Sequence, residues 1–393
     1  MTKKAYPNQT VWQVRNSYFG MYVHFPYCFQ KCDYCDFYSE GIGKDHASTE
    51  QELFESYKKE ILFRKSTISS LFEKKLDTIF LGGGTPSKAK PESWKDLLTF
   101  IRSEFDVSED AEISIEVNPE DFHLELLHNY KDMGINRVNL GVQTLNAEGL
   151  QFLGRHYDVE RYSQIKETLS KSPIHRVGID LMYGIPNVPD FSFDSDLNEF
   201  LRLNLPHLSL YSLTLERGTQ YSRDVKSKSK SVPNEANQTR ILKVLPDWME
   251  KNGYQWYEVS NYSKPGFESK HNLKYWTYEP YMGIGPGAHG FLDGKRYGNP
   301  RNTNLYIRKP LDAKMETADP KTELGLTLFR LFAPFDYQSF FKTHLDEKTQ
   351  THYLNTILSF EERGFATLTN GSFQWKKEAL LTLDDLILEI VSA

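Results

Sequence analysis

Three cysteines, Cys28, Cys32 and Cys35, fall within the eleven residues Tyr27–Phe37 (YCFQKCDYCDF), and the chain has no others. Free cysteines often serve as small buried hydrophobes, but this stretch is too polar to be core. Thiolates at this spacing point to a metal centre. A structural zinc site takes four ligands, commonly as two separated pairs, so His24 or a more distant histidine would have to complete one. An iron–sulfur cluster suits thiolates better. Held by three cysteines, a four-iron cluster leaves one iron open to a small molecule.

Other residues able to do chemistry stand at the ends of β-rich runs. Gly82-Gly83-Gly84-Thr85-Pro86 follows 76–81, Glu116 and Asn118-Pro119 close 112–117, and Gln143 follows 137–142. Asp180 is the acid inside the apolar run 177–183, and Glu216-Arg217-Gly218-Thr219 follows 208–215. With 21–25 these make six runs rich in Val, Ile, Leu, Tyr and Phe, as strands are. Amphipathic stretches at 50–72, 91–104, 121–132, 146–170 and 193–203 separate them, with Pro91, Pro119 and Gly134 as punctuation. Alternation of this kind predicts a parallel sheet with helices outside, either an open sheet or an incomplete barrel. Ligands of such folds gather at the carboxyl ends of the strands, where these residues stand together.

Composition bounds the partners. The chain has 393 residues, 25% charged and 39% hydrophobic, with a formal net charge of −6, which argues against bulk nucleic-acid binding. Neither an export signal nor a transmembrane segment is evident, and an odd cysteine count does not make a disulfide framework. A cytoplasmic location is expected.

The spacing Cys28-x3-Cys32-x2-Cys35 after a first strand resembles the signature of the radical S-adenosylmethionine (SAM) superfamily. The blocks YVHFPYCFQKCDYCDF, LGGGTPS, EVNPE, RVNLGVQTLN, LGRHYD and IDLMYGIP are similar, in order and spacing, to the oxygen-independent coproporphyrinogen III oxidase group. GYQWYEVSNYSKPG, KHNLKYW and YMGIGPGAHG resemble its HemW branch, the heme chaperones. The resemblance implies a partial (β/α)6 barrel over 15–250, a segment at 251–305 closing its mouth, and a small, mainly helical, winged-helix-like C-terminal domain over 306–393. It implies a [4Fe–4S] cluster on the three cysteines, with SAM on the open iron; the reduced cluster can cleave SAM to methionine and a 5′-deoxyadenosyl radical. Tyr22, the backbone of Gly83, Gly84 and Thr85, and the side chains of Glu116, Gln143, Arg155 and Asp180 would form the SAM site. His271, in the HNxxYW motif, would ligate heme, with His289 as the alternative. Heme-accepting proteins and an electron donor such as flavodoxin or ferredoxin are the implied partners.

Two departures weigh against the decarboxylating oxidase. Phe37 stands where the oxidases typically carry a fourth cysteine, and about twenty residues precede the first strand, fewer than in the oxidases. GGGTP lacks the Gly-Lys-Ser/Thr of a P-loop. Gly285-Pro286-Gly287-Ala288-His289-Gly290 fits GxGxxG formally, but the breakers after it predict no helix. Residues 223–238, rich in serine and lysine, read as a solvated loop.

Overall fold

Branched and aromatic residues fill both faces of a covered parallel sheet, and each expected run forms a strand. The computed structural model describes residues 10–42, 46–68, 71, 73–155, 161–186, 190–311 and 313–392. Six strands follow one another in parallel: β1 (Tyr18–Phe25), β2 (Lys75–Gly83), β3 (Val107–Val117), β4 (Arg137–Gln143), β5 (Arg176–Tyr183) and β6 (His207–Ser212). β7 (Tyr281–Ile284) pairs in parallel with the other side of β1. β8 (His289–Leu292), β9 (Lys295–Gly298) and β10 (Lys314–Thr317) continue from it antiparallel. The order β10-β9-β8-β7-β1-β2-β3-β4-β5-β6 does not close on itself. This is the expected partial barrel, widened by four short strands whose glycine and charge content hid them.

The helices cover the sheet as their patterns require. α1 (His46–Thr67) follows the cysteine loop. α2 (Pro91–Glu104) starts with proline at its first position and buries Trp94, Leu97, Leu98 and Ile101, one face at helical spacing. α3 (Leu124–Asp132) is capped by the His123 side chain, and Gly134, at φ 90°, lies just beyond it. The single helix expected over 146–170 is two, α4 (Ala147–Phe152) and α5 (Arg161–Ser170), because Gly154 adopts φ 68°. α6 (Asp190–Leu203) and α7 (Gln220–Lys226) follow, so the stretch 223–238 begins in a helix and ends in another, Glu235–Lys251.

The chain divides into two compact units: Ser17–Gln238 with Pro280–Thr317, and Met1–Asn16 with Thr239–Glu279 and Ala318–Ala393. Residues 251–279 belong to the second unit and 280–305 to the first. The first unit holds the barrel. There the buried carboxylate of Glu60 accepts from Arg64 Nη2 (3.0 Å), Asn299 Nδ2 (2.9 Å), Tyr306 Oη (2.7 Å) and the Gly285 amide (3.1 Å). That network fastens the glycine loop to α1. The loop runs into β8, so the formal GxGxxG match has no helix to present.

The second unit is mainly helical. A hairpin pairs Ala366–Thr369 with Ser372–Trp375 through Asn370 and Gly371, both at positive φ, as a two-residue turn requires. Helix Leu383–Val391 then buries Leu383, Leu386, Ile387 and Ile390. Phe329, Phe335, Phe373 and Trp375 stack edge-on in the core of this unit.

Candidate functional site

The cysteines occupy one lobe after β1. Tyr27–Cys28 pairs with Glu40–Gly41 and closes the lobe at its base. Cys28 is buried, and the Thr85 hydroxyl donates to its Sγ (3.4 Å), while Cys32 and Cys35 are half-buried on a turn closed by Cys35 N–H to Cys32 O (3.2 Å). Burial pushes the Cys28 thiol up, and burial and then the neighbouring Cys32 push Cys35 to about 11. Without a cation Cys28 and Cys35 therefore keep their protons, and binding metal must release them. Among the described residues no three His, Cys, Asp or Glu side chains gather as ligands of one ion. Around one tetrahedral zinc, thiolates would crowd to about 3.8 Å of each other. Three thiols on one lobe suit an iron–sulfur group, whose protein ligands are thiolates.

His24, the candidate fourth zinc ligand, is committed elsewhere. Its Nε2 lies 2.8 Å from Tyr38 O, and its Nδ1 lies 2.9 Å from Tyr22 Oη. A carbonyl only accepts, so Nε2 carries the proton and Nδ1 accepts from the Tyr22 phenol. Burial pulls His24 down to about 4, so the ring stays neutral. It positions Tyr22.

The lobe is fastened on both flanks. Asp33 donates its amide to Leu153 O (3.1 Å), and its carbonyl accepts from the Tyr221 amide (2.7 Å). Lys230 donates to the Asp33 carboxylate and to Phe152 O (2.6 Å), with its ammonium over the Phe152 ring. The serine- and lysine-rich stretch is thus not wholly a solvated loop, because its last lysine is a tether. On the other flank the Thr303 amide donates to Tyr38 Oη (2.7 Å), and Arg301 Nη2 donates to Asp36 O (2.7 Å).

Beside the lobe the strand ends converge. The Gly83 amide donates to Glu116 Oε2 (2.9 Å), the Gly84 amide to Phe25 O (2.7 Å) and the Thr85 amide to Tyr27 O (2.9 Å). Any contact of Gly83, Gly84 or Thr85 backbone with an ammonium group is therefore through carbonyl oxygens. Gly83 has φ 114°, and a Cβ there would lie 2.7 Å from the His24 ring, so glycine is dictated by packing as well. Burial, and then the charge of Asp180, push Glu116 up to about 8 against the Gly83 amide. Burial pushes Asp180 to about 6, opposed by a hydrogen bond from Ser209 and by the charges of Arg155 and Arg137. Tyr22 is raised by burial and then by Glu116. Arg155 Nη1 donates to Gly141 O (3.0 Å) and Asn118 Oδ1 (3.5 Å), and its guanidinium also hydrogen-bonds Tyr34, between the cysteines. Gln143 is buried with φ 67°, the left-handed turn that ends β4.

These contacts join Tyr22, Gly83, Glu116, Asp180 and Arg155 to the cysteine lobe, and Gln143 ends the strand beneath Arg155. Sequence reasoning missed Tyr34, Tyr38, Lys230 and Arg301 as parts of the site, and of these only Tyr34, between two cysteines, carried a local signal. The site is suited to a bound cation and carboxylate: two half-buried acids beside a guanidinium.

In the second unit, KHNLKYW forms the helix Lys270–Trp276, with the Ser269 side chain accepting from the Asn272 amide as its cap. His271 is fully buried, and burial pulls it down to about 3. Tyr254, Tyr257, Tyr262 and Tyr278 are buried as well. His289, in the first unit, is exposed.

The fold and the cysteine lobe define a class. The sequence matches the family model of the radical SAM superfamily over residues 22–200. The coproporphyrinogen III oxidase HemN of Escherichia coli, described as a radical SAM enzyme, shares the fold: TM-score 0.78 over 96% of this chain and 91% of that one, at 18% identity. The heme chaperone HemW of Lactococcus lactis is 38% identical over 73% of both chains. HemW of Buchnera aphidicola is 32% identical over 94% of this chain and 97% of its own. The chain belongs to the HemW family of radical SAM proteins.

Proposed function

We propose that this protein binds heme and transfers it to heme-accepting proteins. Its barrel would carry a [4Fe–4S] cluster on Cys28, Cys32 and Cys35, with SAM on the open iron. The observation that carries the reading is 32% identity to a HemW heme chaperone over 94% of this chain. Three features support the cofactor site: the three-thiol lobe, the paired acids Glu116 and Asp180, and Arg155 beside them. In this reading Arg155 pairs with the SAM carboxylate, Tyr22, Gln143 and the carbonyls of Gly83, Gly84 and Thr85 face its methionine end, and Glu116 or Asp180 accepts from ribose hydroxyls. The heme site is the HNxxYW segment around His271. When bound and reduced by a flavodoxin- or ferredoxin-like donor, the cluster supplies the electron for SAM cleavage. No described helix is long and apolar enough to cross a membrane, and a cytoplasmic location is part of the proposal.

The test is a spectroscopic heme titration of anaerobically reconstituted protein with coproporphyrin III as competitor, beside an assay for protoporphyrinogen IX. Saturable heme binding that resists the competitor, without sustained SAM-dependent protoporphyrinogen formation, is expected. Displacement by coproporphyrin, or turnover, transfers the chain to the oxidase reading.

A further inference from the structure

The helix Lys270–Trp276 places residues 271 and 275 one turn apart on the same face. Their side chains form a pair: His271 Nε2 lies 2.9 Å from Tyr275 Oη, with the rings edge-to-face at 5.2 Å and 86°. The two differ in access. His271 has no exposed surface, whereas Tyr275 is half-exposed. Among Tyr254, Tyr257, Tyr262, Tyr275 and Tyr278 of this segment, Tyr275 alone is not buried. Lys274, between the pair in sequence, is buried and held by Glu279 at 2.7 Å.

From this geometry we propose that the axial group offered to heme iron is the phenol oxygen of Tyr275, with His271 as the residue that positions it. The inference rests on the heme-binding reading above and changes the atom that meets the metal. An imidazole ligates through a ring nitrogen, yet the Nε2 of His271 is spent on the phenol and lies beneath it. For His271 to reach iron, that bond must break and the Tyr275 ring must swing aside. Tyr275 needs neither step. Tyrosine is an established axial ligand of heme iron, and a hard anionic oxygen favours the ferric state.

The exchange balances without an added reagent. The phenol O–H bond breaks, its proton passes to water, and the iron–oxygen bond forms. His271 is in its Nε2–H tautomer before and after, donating first to the phenol oxygen and then to the phenolate. The imidazole stays neutral throughout, so its burial is not a penalty. A hydrogen bond of this kind fixes the orientation and basicity of a metal ligand.

The full chain would be titrated with ferric heme, and the complex followed by resonance Raman and electron paramagnetic resonance, as wild type, Tyr275→Phe and His271→Gln. The wild type is expected to give high-spin ferric heme with iron–phenolate vibrations. Tyr275→Phe, which removes only the phenol oxygen and leaves the ring, should abolish those vibrations and weaken ferric heme binding at least tenfold. His271→Gln should keep the phenolate signature at a shifted frequency, and dithionite should lower wild-type affinity. An unchanged Tyr275→Phe spectrum overturns the inference while leaving the heme reading intact, and loss of the axial ligand in His271→Gln alone returns the role to the imidazole. Wild type that binds no heme overturns the inference together with that reading. His271→Gln is a buried change, so circular dichroism is taken beside it; Tyr275→Phe decides the question by itself.

Discussion

Glu116 is held at about 8 against an ordinary 4.5, which makes the cation site a cost to the empty protein that can be measured. Because the folded-state value is raised, the contribution of neutral Glu116 is fully present below about pH 4.5 and is lost as pH climbs through about 8. At about 1.4 kcal/mol per tenfold change in proton affinity, the gap comes to about 5 kcal/mol for a fully dry carboxyl. The Glu116 side chain retains some accessible surface, so about 2–5 kcal/mol is the working range. Glu116→Gln keeps an oxygen to accept the Gly83 amide and has no charge to bury. In cluster-free protein its melting temperature should match wild type near pH 4.5 and exceed it increasingly up to pH 8.5. In a unit of this size, at about 2 °C per kcal/mol, the excess should reach about 4–10 °C. Differential scanning calorimetry across that range measures it. A difference that does not vary with pH, or one that shrinks as pH rises, would refute the reasoning. SAM should then bind the glutamine variant more weakly, because an amide oxygen accepts from its ribose hydroxyls less strongly than a carboxylate does.

Three further outcomes are expected. Arg155→Ala should weaken SAM binding to reconstituted protein by about 1.5–3 kcal/mol, the worth of a charge-assisted contact; isothermal titration calorimetry giving an unchanged Kd would remove Arg155 from the carboxylate. Asp33→Ala breaks the Lys230 tether and should shorten the half-life of the cluster under a chelator while leaving the melting temperature within a few degrees, as expected for a pair worth about 1 kcal/mol or less. Arg64→Leu leaves the buried Glu60 carboxylate without its cation and should cost about 3–5 kcal/mol in urea unfolding, whereas Glu60→Gln with Arg64→Leu together should recover much of it.

The local sequence carried some parts of this structure far better than others. The six parallel strands were legible because their runs are apolar enough to be buried on both faces, and the cysteine lobe because no core packs three thiols in a polar stretch. β7 to β10 were not, since runs such as Lys295–Gly298 and Lys314–Thr317 have the composition of loops and become strands only by pairing with neighbours. The break at Gly154 was written in the chain, yet helical periodicity on both sides masked it.

What the sequence determined by itself was chemistry: three thiols at a metal-binding spacing, acids at or near strand ends, and which family the motifs resemble. Those depend on residue type and short spacing, which survive in one dimension. Tertiary structure alone decided which groups are available. His24 turned out to be the neutral acceptor for Tyr22, not a ligand. Lys230, two hundred residues from the cysteines in round terms, proved to hold their loop. His271, the expected heme ligand, is fully buried and paired with Tyr275. Burial, hydrogen-bond commitment and contact at long range are properties of the packed chain, because each is set by neighbours that the sequence brings together only on folding.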